Sequence, residues 1–378
     1  MKVLFQSRLD LFDKYGGDTV QMLETKKALE ALGVSVDINC ELSLDLSQYD
    51  LVHVFNLDWV CEPYLQIKNA KRQGKKVVLS PIHHSLAEFL KYEQLNRWGL
   101  SVLGNAVLTN QPARDTIKNL IKGILYPKKL YPAFYQLFFG IRNEQRRDVA
   151  MSDYVLVQTD LEAKDLKLDY KTGDFKWKKV VNGINPEKFG DTLNVKKEKV
   201  ILSVGRIEPR KNQINLAMAF IRAVNSGELS GYKMIFIGKG NLHHPTYLKE
   251  FYRTIHDQEL FEYLGFVEQE KLCNLYQTAS IFASPSWFET TGLVFLEATV
   301  CGVSSLVASG DRAGEYLGDN AVYCDPASVN SIYKALIEAQ RPTVAKSFPE
   351  FVKKTYTWEN CAKQTLEVYQ RVLGSSTE

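Results

Sequence analysis

Short apolar runs recur along the chain, and most are followed by a stretch of helical character; that alternation is what most narrows the folds open to it. Lys2-Val3-Leu4-Phe5-Gln6 reads as a first strand, and a helix from Asp18 to Leu32 is stopped by Gly33. Val34 to Ile38 and Leu51 to Phe55 continue the pattern, with a helix from about Val60 to Gln73, Gly74 as its stop, and a strand at Val77-Val78-Leu79-Ser80. Asp153 to Thr159 is a strand followed by a helix from Asp160. The pattern restarts at Val200 to Val204, Lys233 to Ile237, Ser280 to Ala283 and Gly302 to Ala308. Strands that alternate with helices build parallel sheets covered on both faces, an α/β architecture.

Length and composition set the outer limits. A chain of 378 residues accommodates two domains of ordinary size, and an apolar share of 45% beside 24% charged residues is that of a globular protein in water. A formal net charge of +3 gives no case for nucleic acid. Cys40, Cys61, Cys273, Cys301, Cys324 and Cys361 are scattered, with no Cys-x-x-Cys pair, which suits a reducing cytoplasm better than a disulfide framework or a zinc site. The apolar run Val3-Leu4-Phe5 is too short for a signal peptide core, and no run has the length of a membrane span.

Chemistry concentrates in Ser284-Pro285-Ser286-Trp287-Phe288-Glu289-Thr290-Thr291-Gly292-Leu293-Val294-Phe295-Leu296-Glu297-Ala298, read as a strand end, a loop and the first turns of a helix. Gly292 falls near a helix N-terminus, where unpaired N–H groups and the helix dipole favour an anion. Glu289 in the loop and Glu297 in the helix can turn towards one pocket as acceptors for hydroxyl groups. An isolated pair of this kind is most simply two solvated residues. Upstream, however, Val200 to Val204 runs into Gly205-Arg206-Ile207-Glu208-Pro209-Arg210-Lys211-Asn212, a strand, a glycine and clustered cations, which suit a diphosphate.

Together these stretches resemble the C-terminal half of retaining nucleotide-sugar glycosyltransferases of the GT-B type (group 1, family 4-like). The matching positions are Gly205, Arg206, Lys211, Glu289 and Glu297. The resemblance implies two Rossmann-like domains facing across a cleft: residues 1–190 for the acceptor, residues 191–352 for the nucleotide-sugar donor, and residues 353–378 as a C-terminal helix crossing back to the first domain. The charged stretch from Gly190 to Lys199 is the linker candidate. The resemblance further implies that Arg206 and Lys211 clamp the donor diphosphate, that Glu289 holds the transferred sugar and that Glu297 accepts from the ribose hydroxyls. Thr291, Gly292, Leu293 and Val294 line the same site, and a backbone edge at Phe266 and Val267 meets the base. Two departures from relatives stand out: Thr291, where many have an aromatic or aliphatic residue, and Ser304, where many have proline, a change expected to be minor.

In the first half, Gly16 and Gly17 lie between strand and helix. Taken alone they form a plain loop with Asp18 as cap; the resemblance makes them the glycine-rich loop facing the donor phosphates. Pro81-Ile82-His83-His84-Ser85 follows a strand at its carboxyl end, where doubly wound sheets bind ligands. The resemblance makes His83 the functional histidine, with His84 the fallback. Between Ile117 and Ile141 the sequence is both apolar and basic, including Lys118, Lys122, Lys128, Lys129, Phe134 and Phe138. It reads as core-packing helices broken at Pro127 and Pro132, or as an interfacial surface for an anionic leaflet at the inner face of the cytoplasmic membrane.

The expected chemistry is transfer of a hexose-type sugar to an acceptor hydroxyl, on a saccharide or lipid-linked saccharide, with anomeric retention. No Asp-x-Asp or His-Cys ligand cluster occurs, so no metal or other cofactor is expected, and cations and N–H groups would stabilise the leaving diphosphate. A nucleotide-sugar epimerase and a non-catalytic nucleotide-sugar binding protein on the same fold are the alternatives.

Overall fold

The computed structural model describes residues 1–13, 16–58, 61–95, 111–189 and 195–374; Tyr15 of the first loop, Val60 and linker residues 190–194 lie outside them. The chain forms two compact units, one from the described residues within 1–86, 103–183 and 358–378, the other from those within 87–102 and 184–357. Each is an α/β layer structure on one six-stranded parallel sheet.

In the first unit, β1 (Lys2–Gln6), β2 (Ser35–Ile38), β3 (Leu51–Phe55), β4 (Lys76–Ser80), β5 (Tyr154–Val157) and β6 (Trp177–Lys179) are ordered β2-β1-β3-β4-β5-β6. The central strand β3 is buried along its whole length, as a strand covered on both faces must be. Helices α1 (Gly17–Ala31) and α2 (Glu62–Arg72) are followed by Gly33 (φ 82°) and Gly74 (φ 68°), the left-handed residues that end them. After α3 (Leu86–Leu95), α4 (Gln111–Leu125) and α5 (Leu130–Phe139) form a helical hairpin, followed by α6 (Ile141–Met151) and α7 (Asp160–Tyr170). A short 3₁₀ turn at Pro127–Lys129 breaks the hairpin where a proline was expected to. Pro132 does not break it: proline in the first turn of α5 removes an N–H that has no partner there anyway.

In the second unit, β7 (Glu198–Val204), β8 (Lys233–Ile237), β9 (Phe261–Tyr263), β10 (Ala279–Ser284), β11 (Ser304–Ala308) and β12 (Ala321–Cys324) are ordered β12-β11-β10-β7-β8-β9. The covering helices are α8 (Gln213–Asn225), α9 (Pro245–Thr254), α10 (Gln269–Thr278), α11 (Leu293–Val300), the short α12 (Gly314–Leu317), α13 (Val329–Glu338) and α14 (Phe348–Thr355). Apolar clusters fill both faces, with Phe220, Phe236 and Phe251 on one side and Phe282, Phe295 and Tyr276 on the other. Ser304 opens β11 with a use that proline would lack: its hydroxyl donates to the Arg341 carbonyl (3.2 Å) and accepts from the Thr343 N–H (3.3 Å).

The last helix, α15 (Trp358–Leu373), belongs to the first unit and packs on α1. Its Tyr369 is fully buried, and the phenol lies 2.6 Å from His53 Nδ1, while His53 Nε2 meets Ser80 Oγ at 2.9 Å. Burial pushes His53 down to about 3, so its ring is neutral. Among the described residues no helix is long and apolar enough to cross a membrane.

Candidate active site

In the second unit, two loops at the carboxyl ends of β7 and β10 are stitched together. The Trp287 N–H donates to the Arg210 carbonyl (2.9 Å), and the Asn212 amide donates to the Pro285 carbonyl (3.0 Å). Gly205 ends β7 with φ 155° and donates to the Ile237 carbonyl (2.8 Å). A side chain there would press on Lys211, whose Cε would lie 3.3 Å from the added carbon, and one on Gly238 would overlap the Gly205 carbonyl itself. Bare backbone at these glycines therefore lets β7, β8 and the Lys211 stem pack in direct contact.

The Lys211 ammonium pairs with Glu289 Oε1, and Arg210 closes on the other oxygen at 3.4 Å. Arg210 also contacts Glu208 (3.1 Å), donates to the Phe288 carbonyl (3.1 Å) and lies over the Phe288 ring at 5.6 Å. Asn241 donates to the second Glu208 oxygen (2.8 Å). Burial alone would raise Glu289; Lys211 and Arg210 together reverse this and hold the carboxylate well below its usual range. The cation beside Lys211 on Glu289 is Arg210. Arg206 is exposed, and its own carbonyl accepts from the Gln213 amide (2.9 Å).

Gly292 takes a left-handed conformation (φ 62°) as the N-cap of α11, and a Cβ would come within 2.7 Å of the Phe295 ring. Thr291 is buried, Leu293 and Val294 are half-buried, and the Tyr316 hydroxyl donates to the Thr291 and Gly292 carbonyls. Glu297, eight residues after Glu289, behaves in the opposite way. Burial drives it up to about 7 against a hydrogen bond from the Tyr276 hydroxyl (3.1 Å) and the charge of Lys188. One carboxylate of the pair is thus fixed as an anion, while the other titrates near neutrality. Phe266 is 68% exposed, with the Lys239 ammonium 5.1 Å from its ring centre. Val267 packs against the core.

The other anticipated residues are in the first unit. Gly16 caps α1 in an extended conformation, its N–H donating to Thr19 Oγ1 (3.2 Å), and a Cβ on Gly17 would meet open space. His83 is fully buried, with Nδ1 on Asp58 at 2.7 Å and Nε2 on Asp169 at 2.8 Å. Burial would lower its pKa, but the two carboxylates outweigh that and raise it to about 9. His84 uses its N–H and its ring on the other Asp58 oxygen (2.7 and 3.1 Å). With its ring nitrogens on Asp58 and Asp169, the imidazolium cross-links the ends of β3, β4 and α7. Ile82, a β-branched residue at φ 50°, carries the strained backbone that turns both histidines onto Asp58.

Sequence reasoning also missed Arg312, which is buried with Nη1 3.5 Å from the Glu289 carbonyl. Nothing local marks it, whereas Arg210 stands beside Lys211 in a Pro-Arg-Lys turn whose alternation could have suggested it.

Residues 185–342 match the model of a family described as glycosyl transferases group 1. The match falls within the second unit. The chain is 27% identical over 244 residues, 58% of its length, to an uncharacterized glycosyltransferase of Methanocaldococcus jannaschii, of which that covers 61%. It is 30% identical over 185 residues (45% of this chain, 45% of the relative) to O-antigen chain mannosyltransferase B of Escherichia coli. The chain thus spans only about half the length of these curated relatives. Among solved structures, sucrose-phosphate synthase of Thermosynechococcus elongatus aligns over 100% of both chains with TM-score 0.71 and 14% identity. HepE from Anabaena, in complex with UDP and glucose, aligns over 98% of this chain and 100% of its own with TM-score 0.67 and 15% identity. The fold is that of GT-B glycosyltransferases.

Proposed function

We propose that the chain transfers a hexose-type sugar from a nucleotide-diphosphate sugar to an acceptor hydroxyl in polysaccharide or lipopolysaccharide biosynthesis, with retention and without a metal. The observation that carries this reading is the convergence, beside the Gly205 strand end, of Lys211, Glu289 and the N-terminus of α11. Glu289, an obligatory anion held by two cations, is an acceptor for the hydroxyls of the transferred sugar. Lys211 and Arg206 with the N–H groups after Gly292 meet the leaving diphosphate, Glu297 takes the ribose, and Phe266 offers a stacking face to the base. HepE, crystallised with UDP-glucose, and the E. coli mannosyltransferase support the donor class and the pathway class respectively.

The acceptor side is proposed to work at an anionic membrane, at the inner face of the cytoplasmic membrane. On α4 and α5 the large apolar residues Ile121, Ile124, Leu125, Tyr131, Phe134 and Phe138 are each more than half exposed, with exposed Lys118, Lys122 and Lys128 beside them. An apolar face rimmed by lysines suits a leaflet with acidic headgroups.

A thermal-shift screen against UDP, GDP, ADP and their sugar conjugates in EDTA tests the donor site. One nucleotide raises the melting temperature, and Lys211→Ala and Glu297→Ala abolish the rise. A shift that requires Mg²⁺ or Mn²⁺ refutes the metal-free part, and no shift with any nucleotide refutes the reading. Flotation with anionic vesicles tests the membrane face, where absence of binding removes it.

A further inference from the structure

Helix α3 comes from the first half of the sequence, yet its residues 87–95 are part of the second unit. Two of its aromatic side chains pack on the loop that carries Glu289. Phe89 meets Phe288 edge-on with ring centres 6.0 Å apart. Tyr92, three residues on and so on the same face of the helix, meets Phe288 edge-on at 5.7 Å and lies 5.9 Å from Trp287. Phe89 and Tyr92 also contact each other, at 6.3 Å. Leu90, between them in sequence, is exposed.

The ring that α3 grips is tied to Glu289 through Arg210. That guanidinium lies over Phe288 at 5.6 Å, donates to the Phe288 carbonyl at 3.1 Å and pairs with Glu289 at 3.4 Å. Phe288 therefore meets a cation and two rings of α3 at once, and the residue after it is the carboxylate. Tyr92 stands in the same field: burial and then the charge of Glu208 push its phenol up to about 12, against the pull of Arg210. Edge-on ring pairs favour a defined separation and angle, and a close-packed interior has no slack to absorb a displacement. Removing either α3 ring leaves a gap beside Phe288 into which that side chain can turn. Arg210 and the carboxylate one residue along then lose their fixed places.

We propose that Phe89 and Tyr92 of α3 are positioning residues for the transferred sugar: by holding Phe288 against Arg210 they fix where the Glu289 carboxylate stands. The proposal rests on the reading of Glu289 as the residue that holds that sugar. A hydrogen bond to a charged group is worth roughly tenfold or more in affinity. Loss of its geometry removes that increment while leaving the contacts to base and diphosphate in place.

Calorimetry on the full chain compares UDP with UDP-glucose and GDP with GDP-mannose. The sugar's contribution is the affinity ratio of conjugate to bare nucleotide in the pair that binds, and Glu289→Gln sets its scale. Phe89→Ala and Tyr92→Ala are expected to change the ratio in the same direction as Glu289→Gln, by about tenfold, with the bare nucleotide's affinity unchanged. Tyr92→Phe, which keeps the ring, and Leu90→Ala, at an exposed position of the same helix, should keep the wild-type ratio. If the alanine variants fail to fold, Phe89→Leu, which fills most of the space without a ring edge, is expected to shift the ratio part of the way. A wild-type ratio in the folded Phe89 and Tyr92→Ala variants overturns the proposal. Equal weakening of nucleotide and conjugate also overturns it, being the mark of general loosening, as does a Leu90→Ala variant that reproduces the change. If Glu289→Gln leaves the ratio untouched, or wild type binds neither pair, the sugar reading of Glu289 fails instead. A urea double-mutant cycle of Tyr92→Ala with Glu289→Gln then decides α3: coupling between the two sustains the positioning, and strict additivity overturns it.

Discussion

His83→Gln separates a structural imidazolium from a catalytic one. The ring stands at about 9 against an ordinary 6.5, a gap of about 2.5 that corresponds to roughly 3 kcal/mol of stability. The same attraction drives Asp58 far below the normal carboxylate range, so the two shifts describe one interaction and are counted once. The sign follows from proton binding. The folded chain holds the proton more tightly than the unfolded chain, so the contribution is complete below about pH 6.5 and is lost as pH rises through about 9. Urea unfolding of wild type and His83→Gln at about pH 6, 7.5 and 9.5 should show a stability difference that shrinks by about 3 kcal/mol across the series, with roughly a third already gone at the middle point. The ring carbon protons, followed by NMR, should titrate near the same upper value. A difference independent of pH, or a ring that titrates at its ordinary value, refutes the cross-link; a fold that keeps its stability while losing only turnover would return His83 to the reaction.

Three further outcomes are expected. Gly238→Ala forces a carbon into the Gly205 carbonyl at a φ of 137°, and crowding plus left-handed strain should cost on the order of 2–5 kcal/mol, read as a lower urea midpoint. Lys211→Met leaves Glu289 buried with Arg210 as its remaining paired cation and should destabilise by about 3 kcal/mol; a double-mutant cycle with Glu289→Gln should recover part of this, and strict additivity would exclude coupling. Nucleotide affinity should fall as pH drops below about 7, where Glu297 takes up its proton, and Glu297→Gln should flatten that profile in calorimetric titrations; a profile unchanged by the substitution would remove Glu297 from the ribose.

The long strands and the glycine-marked helix ends were readable because burial on both faces leaves a continuous apolar run and a left-handed stop leaves a glycine. The edge strands β6, β9 and β12 were not read as strands, since three or four residues with one neighbouring strand carry little apolar signal. Gly205, Lys211, Gly292 and Glu289 were singled out on a family resemblance, and the short strand–loop–helix segments that carry them bring the Lys211 and Glu289 side chains together. Arg210 joins Lys211 on Glu289 through the fold of the Pro209–Lys211 turn, which brings it under the Phe288 carbonyl, a contact 78 residues away that no local pattern marks. Arg312 and the placement of α3 depend on contacts between residues more than two hundred positions apart. His83 was located correctly, but its carboxylate neighbours come from β3 and α7, and those neighbours determine its chemistry.

The docking of α15 on α1 has a consequence for the order of events during synthesis. The first unit's sheet is complete by β6, yet Tyr369 must still arrive to cover His53 in its core. On the ribosome the second unit has emerged almost whole before that helix is made, so the unit that begins the chain is the later of the two to close. Until residues 358–373 appear, the aromatic patch around Phe5, His53 and Phe55 stays open to water. A stalled or shortened nascent chain would therefore present this patch to chaperones and proteases, while its second unit was already folded.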